Sequence, residues 1–208
     1  VKLTSNRSLV YHAGVTLSST LLGFLMGTVL GILIAVGIVH IPALAKSFLP
    51  WIIASQTIPM LAVAPMIIVI LAAVNVTGIL PKALISTYLS FFPVAVGMVK
   101  GLRSPEVMHL DLMRTYHASQ WQTFWKLIFP LLSPMAATVG IFAFLSSWND
   151  FMMPSLIISQ PEWQTIPVVN NIFQTQFSNS YNVSFASYLM AMAPAIVVYL
   201  FAQRWVMS

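Results

Sequence analysis

The chain alternates long apolar runs with short polar breaks, and nearly all of its charge lies in the breaks. No Asp, Glu, Lys or Arg occurs between Arg7 and Lys46, Lys46 and Lys82, Lys126 and Asp150, or Glu162 and Arg204. Each interval exceeds the ~20 residues that cross the hydrocarbon of a bilayer as a helix. A fifth, from Lys82 to Lys100, is shorter but holds a dense apolar core. The pattern predicts about five membrane-spanning helices. Residues 15–39 form the first, with Gly23, Gly27 and Gly31 at four-residue spacing on one face. Such a face either admits a neighbouring helix closely or is merely tolerated in a membrane helix. Residues 48–74 form the second, interrupted by Pro50, Pro59 and Pro65, because a proline removes a helix hydrogen bond and clashes with the preceding turn. A turn containing Gly78 and Pro81 leads to the third, 83–99. The fourth covers 135–148 and continues toward Ile158, and the last covers 183–201. The polar segment 159–182 reads as an external loop.

One polar stretch carries its own pattern. Residues 101–130 hold Arg103, Glu106, Asp111, Arg114 and Lys126, with Lys100 just ahead. Ser104-Pro105-Glu106 suits a helix start, with Ser as cap, Pro in the first position and an acid near the positive end of the dipole. This helix runs to about Tyr116, and His117-Ala118 makes a turn. Ser119 followed by Gln122 fits a capping box for a second helix. Trp121, Phe124, Trp125 and Ile128 follow at helical spacing on one face. Pro130 closes the unit. The expected object is a helix–turn–helix knob.

Composition narrows the class. Of 208 residues 59% are hydrophobic and only 6% charged, with mean hydropathy +0.89. Soluble domains carry about 25% charged residues, so the fold class is all-α, polytopic and membrane-embedded. The net charge of +5 fits basic residues flanking membrane spans rather than nucleic-acid binding. With 101–130 inside, Lys46, Lys100, Arg103, Arg114, Lys126 and Arg204 lie on the inner side against Lys2, Arg7 and Lys82 outside, which agrees with the positive-inside rule. Cysteine is absent, which excludes disulfides and thiolate metal sites. His12, His40, His109 and His117 form no ligand pattern, no catalytic pair of acids stands out, and no phosphate loop of the Walker type occurs. The sequence opens on Val1 without a signal-peptide pattern. It reads as part of a longer protein with a first helix missing, and that helix would return the N-terminus to the inside.

The knob resembles the EAA loop of permease subunits in type I binding-protein-dependent ABC importers. Asp111 stands for the family's glutamate, Leu112 and Met113 for its alanines, His117 for its glycine, Leu127 and Phe129 for its later apolar pair, and Pro130 matches outright. Ala118, Ser119 and Trp121 are of types often found there. The stretch from Ala54 to Pro65, with Phe91-Phe92-Pro93 and Gly101-Leu102, is similar to the branch importing nitrate, sulfonates, taurine and pyrimidine precursors. Ser147-Trp148-Asn149-Asp150-Phe151, Thr165-Ile166-Pro167 and residues 188–194 are similar to sugar-importer permeases. The two likenesses meet near Pro130. The resemblance implies one transmembrane permease domain over 1–208. It implies a multi-pass subunit of a prokaryotic plasma (inner) membrane, surrounded by lipid and paired with a second permease. An extracytoplasmic solute-binding protein delivers a sugar or small organic solute. The knob couples to a separate ABC ATPase through Asp111, Arg114, His117, Ala118, Ser119, Trp121, Leu127 and Pro130. This chain is then no enzyme and binds no cofactor or metal, while ATP and Mg sit on the ATPase.

Alternatives stay open at this point. The knob's aromatics also suit a helix lying on the membrane surface. Asn149 and Asp150 are either interfacial or face the solute path, because an ionisable group at membrane depth marks a functional site by default. A secondary transporter or a scaffold subunit are the rival classes. The near absence of ionisable residues in the spans counts against proton coupling.

Overall fold

The computed structural model describes residues 6–55, 57, 59–176 and 181–206. Lys2, Gln56, Ile58 and part of the 159–182 segment lie outside them. Every regular element among the described residues is helical. The helices are α1 (Asn6–His40), α2 (Pro42–Ser55), α3 (Met60–Ala73), α4 (Leu80–Leu102), α5 (Val107–Thr115), α6 (Gln120–Thr123), α7 (Phe129–Trp148), α8 (Met152–Ile157), α9 (Ile166–Gln176) and α10 (Tyr181–Val206). A π turn, Phe124–Ile128, joins α6 to α7, and a 3₁₀ turn covers Pro161–Trp163. Four described runs are long and apolar enough to cross a membrane: Leu9–His40, Leu80–Leu102, Gln120–Ile157 and Ser184–Phe201. The second apolar run is broken, as its prolines predict. α2 and α3 have 14 residues each, about 21 Å apiece against about 30 Å of hydrocarbon, and Pro59 lies in the gap.

The core is a seam between α1 and α4. A Cβ on Gly23 would sit 2.2 Å from Ser86 Cβ and 2.3 Å from the Ala83 carbonyl oxygen. On Gly27 it would sit 2.7 Å from the Thr87 oxygen, and on Gly31 3.0 Å from the Ala95 nitrogen. The glycine face is therefore a packing surface, which bare backbone alone can supply at this spacing. α7 packs against both α4 and α1: Val139 fills the space a Cβ on Gly97 would take, and Phe144 meets Phe24 edge to face. Trp148, 1% exposed, stacks on Phe144 and donates from Nε1 to the Ala191 carbonyl at 2.8 Å, which ties α7 to α10. α10 presents Phe185, Leu189, Met192, Ile196, Leu200 and Phe201 outward, as a lipid-facing helix does.

The segment expected as a loose external loop is substantially helical. Ile166 and Val169 are fully buried, and Val169 packs with Leu9 and Met190. The His12 ring Nδ1 lies 2.8 Å from the Gln164 carbonyl, and the Ile166 amide donates to Thr16 Oγ1 at 2.9 Å. These bonds fasten the start of α9 to α1. The Asn, Gln and Ser around it dilute the apolar signal that these buried residues carry. α1 likewise begins at Asn6 rather than near Val15.

The glycine seam gives a direct check. Gly23→Ala puts a methyl group against backbone and costs about 1–3 kcal/mol, lowering the thermal unfolding temperature in detergent. Gly14, with nothing within 4 Å of its Cβ position, tolerates the same change without loss.

Candidate functional site

α4 ends at Leu102 and the knob follows at once. The start of its first helix differs from the sequence expectation. Ser104 Oγ donates back to the Gly101 carbonyl at 2.7 Å instead of capping forward. α5 starts later, with Glu106 in the extended cap position and no side-chain cap bond. α5 has no buried residue and stands clear of the bundle.

The turn is well determined. His117 has φ +54°, a left-handed conformation that favours glycine and that histidine adopts more readily than most residues. The His117 amide donates to the Arg114 carbonyl at 2.9 Å, and the Ala118 amide to the Met113 carbonyl at 3.0 Å. Those two bonds make a Schellman motif with His117 in the position normally held by glycine. The next helix then starts with the predicted capping box. Ser119 Oγ accepts from the Gln122 amide at 3.2 Å, and Gln122 Oε1 accepts from the Ser119 amide at 3.0 Å. Both helix ends at the turn are thus satisfied locally.

Pro130 does not end the knob. The helix continues from Gln120 through the π turn into α7, with the Phe129 amide reaching the Phe124 carbonyl. A π turn widens the helix where the proline ring would otherwise strike the preceding turn and where its missing amide leaves a gap. Leu127 sits half-buried in this turn, and Pro130 is exposed. Trp121, Phe124, Trp125 and Phe129 form one aromatic cluster, with Trp125 and Phe129 rings 4.8 Å apart. Trp121 is 70% exposed and Tyr116 74%, and Val107, Met108 and Leu112 are exposed beside them. Asp111 and Arg114 pair with each other at 2.9 Å across one turn of α5. Both are exposed, so the pair contributes little to stability.

At the opposite end of α4 the structure joins residues that the sequence kept apart. Lys82, read as a flanking outer charge, is 1% exposed. Its Nζ lies 3.2 Å from Asp150 Oδ2 and donates to the Ser147 carbonyl at 2.8 Å. The Ser147 and Ser86 hydroxyls bond beside it. Asn149, the exposed residue of the predicted pair, donates from Nδ2 to the Leu145 carbonyl at 3.0 Å, at the end of its own helix. A hint was available in the sequence: a cation in a helix's first turn opposes the dipole, so Lys82 needs a partner from elsewhere. No group of three His, Cys, Asp or Glu that could hold a metal occurs among the described residues.

Residues 27–207 match the family described as binding-protein-dependent transport system inner membrane component. The chain belongs to this family of importer permeases. It is 39% identical over 93 residues to the multiple sugar-binding transport system permease protein MsmG of Streptococcus mutans, covering 44% of this chain and 33% of that protein. It is 30% identical over 127 residues to the formylaminopyrimidine transport permease protein ThiX of Halalkalibacterium halodurans, covering 61% and 49%. The chain spans about a third to a half of the length of these relatives. Its fold superposes on a chain of the inward-facing MetNI methionine ABC transporter with TM-score 0.69 and 15% identity, covering 96% and 93% of the two chains. That likeness is one of fold. The family is a transport family, and both branches suggested by the sequence appear among its relatives.

The left-handed turn yields a measurable expectation. His117→Gly removes about 1 kcal/mol of backbone strain and slows hydrogen exchange at the Ala118 amide about five-fold. His117→Val, with its branched side chain, speeds the same exchange.

Proposed function

We propose that this permease forms the solute path of an importer and that its knob docks in a separate ATPase subunit. The observation that carries the reading is a turn fixed at both helix ends whose aromatic cluster is left exposed. An amphipathic helical element that presents such anchors suits a groove on a partner. The knob's second helix runs unbroken into α7, and Gln120 to Trp148 gives a lever of about 40 Å. Movement at the knob would reach the far end of the bundle through that helix. Asp111 and Arg114, paired only at the surface, are free to re-pair with charges on the ATPase. ATP and Mg belong to that subunit, since this sequence has no Walker-type phosphate loop. A second permease, a solute-binding protein and the lipid of a prokaryotic inner membrane complete the assembly.

The solute we infer is a neutral sugar. Lys82 is buried, and Asp150 neutralises it. The buried pair therefore presents no net charge to an anion. The ThiX likeness favours a second reading, a small heterocyclic solute such as a pyrimidine precursor, over a sulfonate or nitrate.

Trp121→Ala should weaken ATPase binding at least ten-fold, as loss of an aromatic anchor does, in a pull-down from membranes that also express the ATPase. His117→Pro should abolish binding, since proline can adopt neither the positive φ nor the amide bond to Arg114. Asp111→Lys should do the same by setting like charges against each other and against the groove. Membrane insertion stays normal in all three. Wild-type ATPase affinity in these variants would refute docking through the knob.

A further inference from the structure

The gap between α7 and α8 follows a helix of 20 residues, about 30 Å long. Unwinding there frees carbonyls at the end of α7 and amides at the start of α8, which need new partners wherever the protein encloses them. Each one the structure pairs is answered by a side chain or by the turn itself. The Leu145 carbonyl accepts from the Asn149 amide at 2.9 Å and from its side chain. The Ser147 carbonyl accepts from Lys82 Nζ. The Met153 amide points to Asp150 Oδ1 at 3.4 Å, while Oδ2 of the same carboxylate holds Lys82. One lysine from α4 therefore serves both sides of the break. Just below it, Met153 packs on the fully buried Ile85.

We propose that Lys82 and Asp150 are positioning residues for solute passage: they build the α7–α8 break and keep Asn149 on its exposed side. This rests on the permease reading above and adds which residues shape the path. Lys82 gains nothing from α4 itself, because it stands in the first turn, where the dipole opposes a cation. It is also fully buried, and buried ion pairs often stabilise no better than apolar replacements. A continuous helix would bury the same apolar residues without either charge. What the pair supplies is shape. Unwound segments of transporter helices face the solute, and this break leaves Asn149 exposed beside the buried pair. Because the pair is neutral as a unit, the break meets the solute with hydrogen-bonding groups and no net charge.

The pair is directional, and the test uses that. In the exchanged variant Lys82→Asp/Asp150→Lys, attraction between the two positions survives. However, position 82 then has no donor for the Ser147 carbonyl, and position 150 has no acceptor for the Met153 amide. Hydrogen exchange is followed in the full chain in lipid nanodiscs, with peptides from 107–123 as an internal control for folding. Lys82→Met and Asp150→Asn should raise exchange in 145–157 at least ten-fold and leave the control peptides unchanged. The exchanged variant should not restore protection. Lys82→Met/Asp150→Leu, which leaves no buried ion, should fold and still bind the ATPase but lose at least ten-fold in uptake of maltotriose by the assembled transporter. Wild-type exchange in Lys82→Met, restored protection in the exchanged variant, or wild-type uptake by the apolar pair would each overturn the proposal. Loss of ATPase binding in the wild-type assembly would instead overturn docking and leave the exchange results standing.

Discussion

In hydrocarbon a backbone amide or carbonyl that leaves its helix must find a partner inside the protein, and the irregular places in this chain are organised by that requirement. At the entrance to α7 the Pro130 ring removes a donor, and a π turn redistributes the bonds so that the helix continues. Between α7 and α8 the helix does break, and Lys82, Asn149 and Asp150 supply what the backbone has lost. Between α2 and α3 the break falls at Pro59, and the Ser55 carbonyl at its edge accepts from Tyr88 on α4 at 3.0 Å. α4 thus supports two of the three irregularities. It can do so because the glycine face of α1 leaves it closely held along its length.

Much of this was legible in the sequence where the signal was local. Charge-free intervals marked the spans, prolines marked the broken run, and Ser119 with Gln122 specified a cap that formed as written. The turn at His117-Ala118 was legible in the sequence, and its left-handed backbone only through the resemblance, which sets His117 where the family has glycine. Signals failed where they depended on distant partners. Ser104 looked like a forward cap, but the Gly101 carbonyl at the end of α4 competes for its hydroxyl. Pro130 looked like a stop because the sequence gives no sign that the preceding turn widens. α9 was hidden because its buried face is only a few residues wide within polar surroundings. Lys82 looked like a flank because its partner lies 68 residues on, and no periodicity encodes that distance.

The two ends of the molecule share their helices. α4 carries Lys82 near its start and leads into the knob at its end, and α7 begins in the knob's aromatic cluster and ends at Trp148. Gly97 and Gly101 on α4 let Val139 and Leu132 of α7 come close, so the two helices are held together along most of their shared length. A push on the knob therefore acts on a packed pair, not on one free rod. Packed pairs shift between discrete arrangements more readily than they bend, which is what a coupling element requires of the helices above it.

The contrast between the two charge pairs separates their roles. Asp111 and Arg114 lie on one exposed helix turn, where solvent screens them and either can exchange partners freely. Lys82 comes from α4 and Asp150 from the α7–α8 break, and both are almost wholly enclosed, so removing one leaves an uncompensated charge in the interior. On the docking proposed above, the first pair would change partners as the ATPase closes and opens. The second cannot do so without taking the break with it. On both proposals the chain holds two kinds of contact, a replaceable one where force would enter and a fixed one where the solute would meet the same geometry in every cycle.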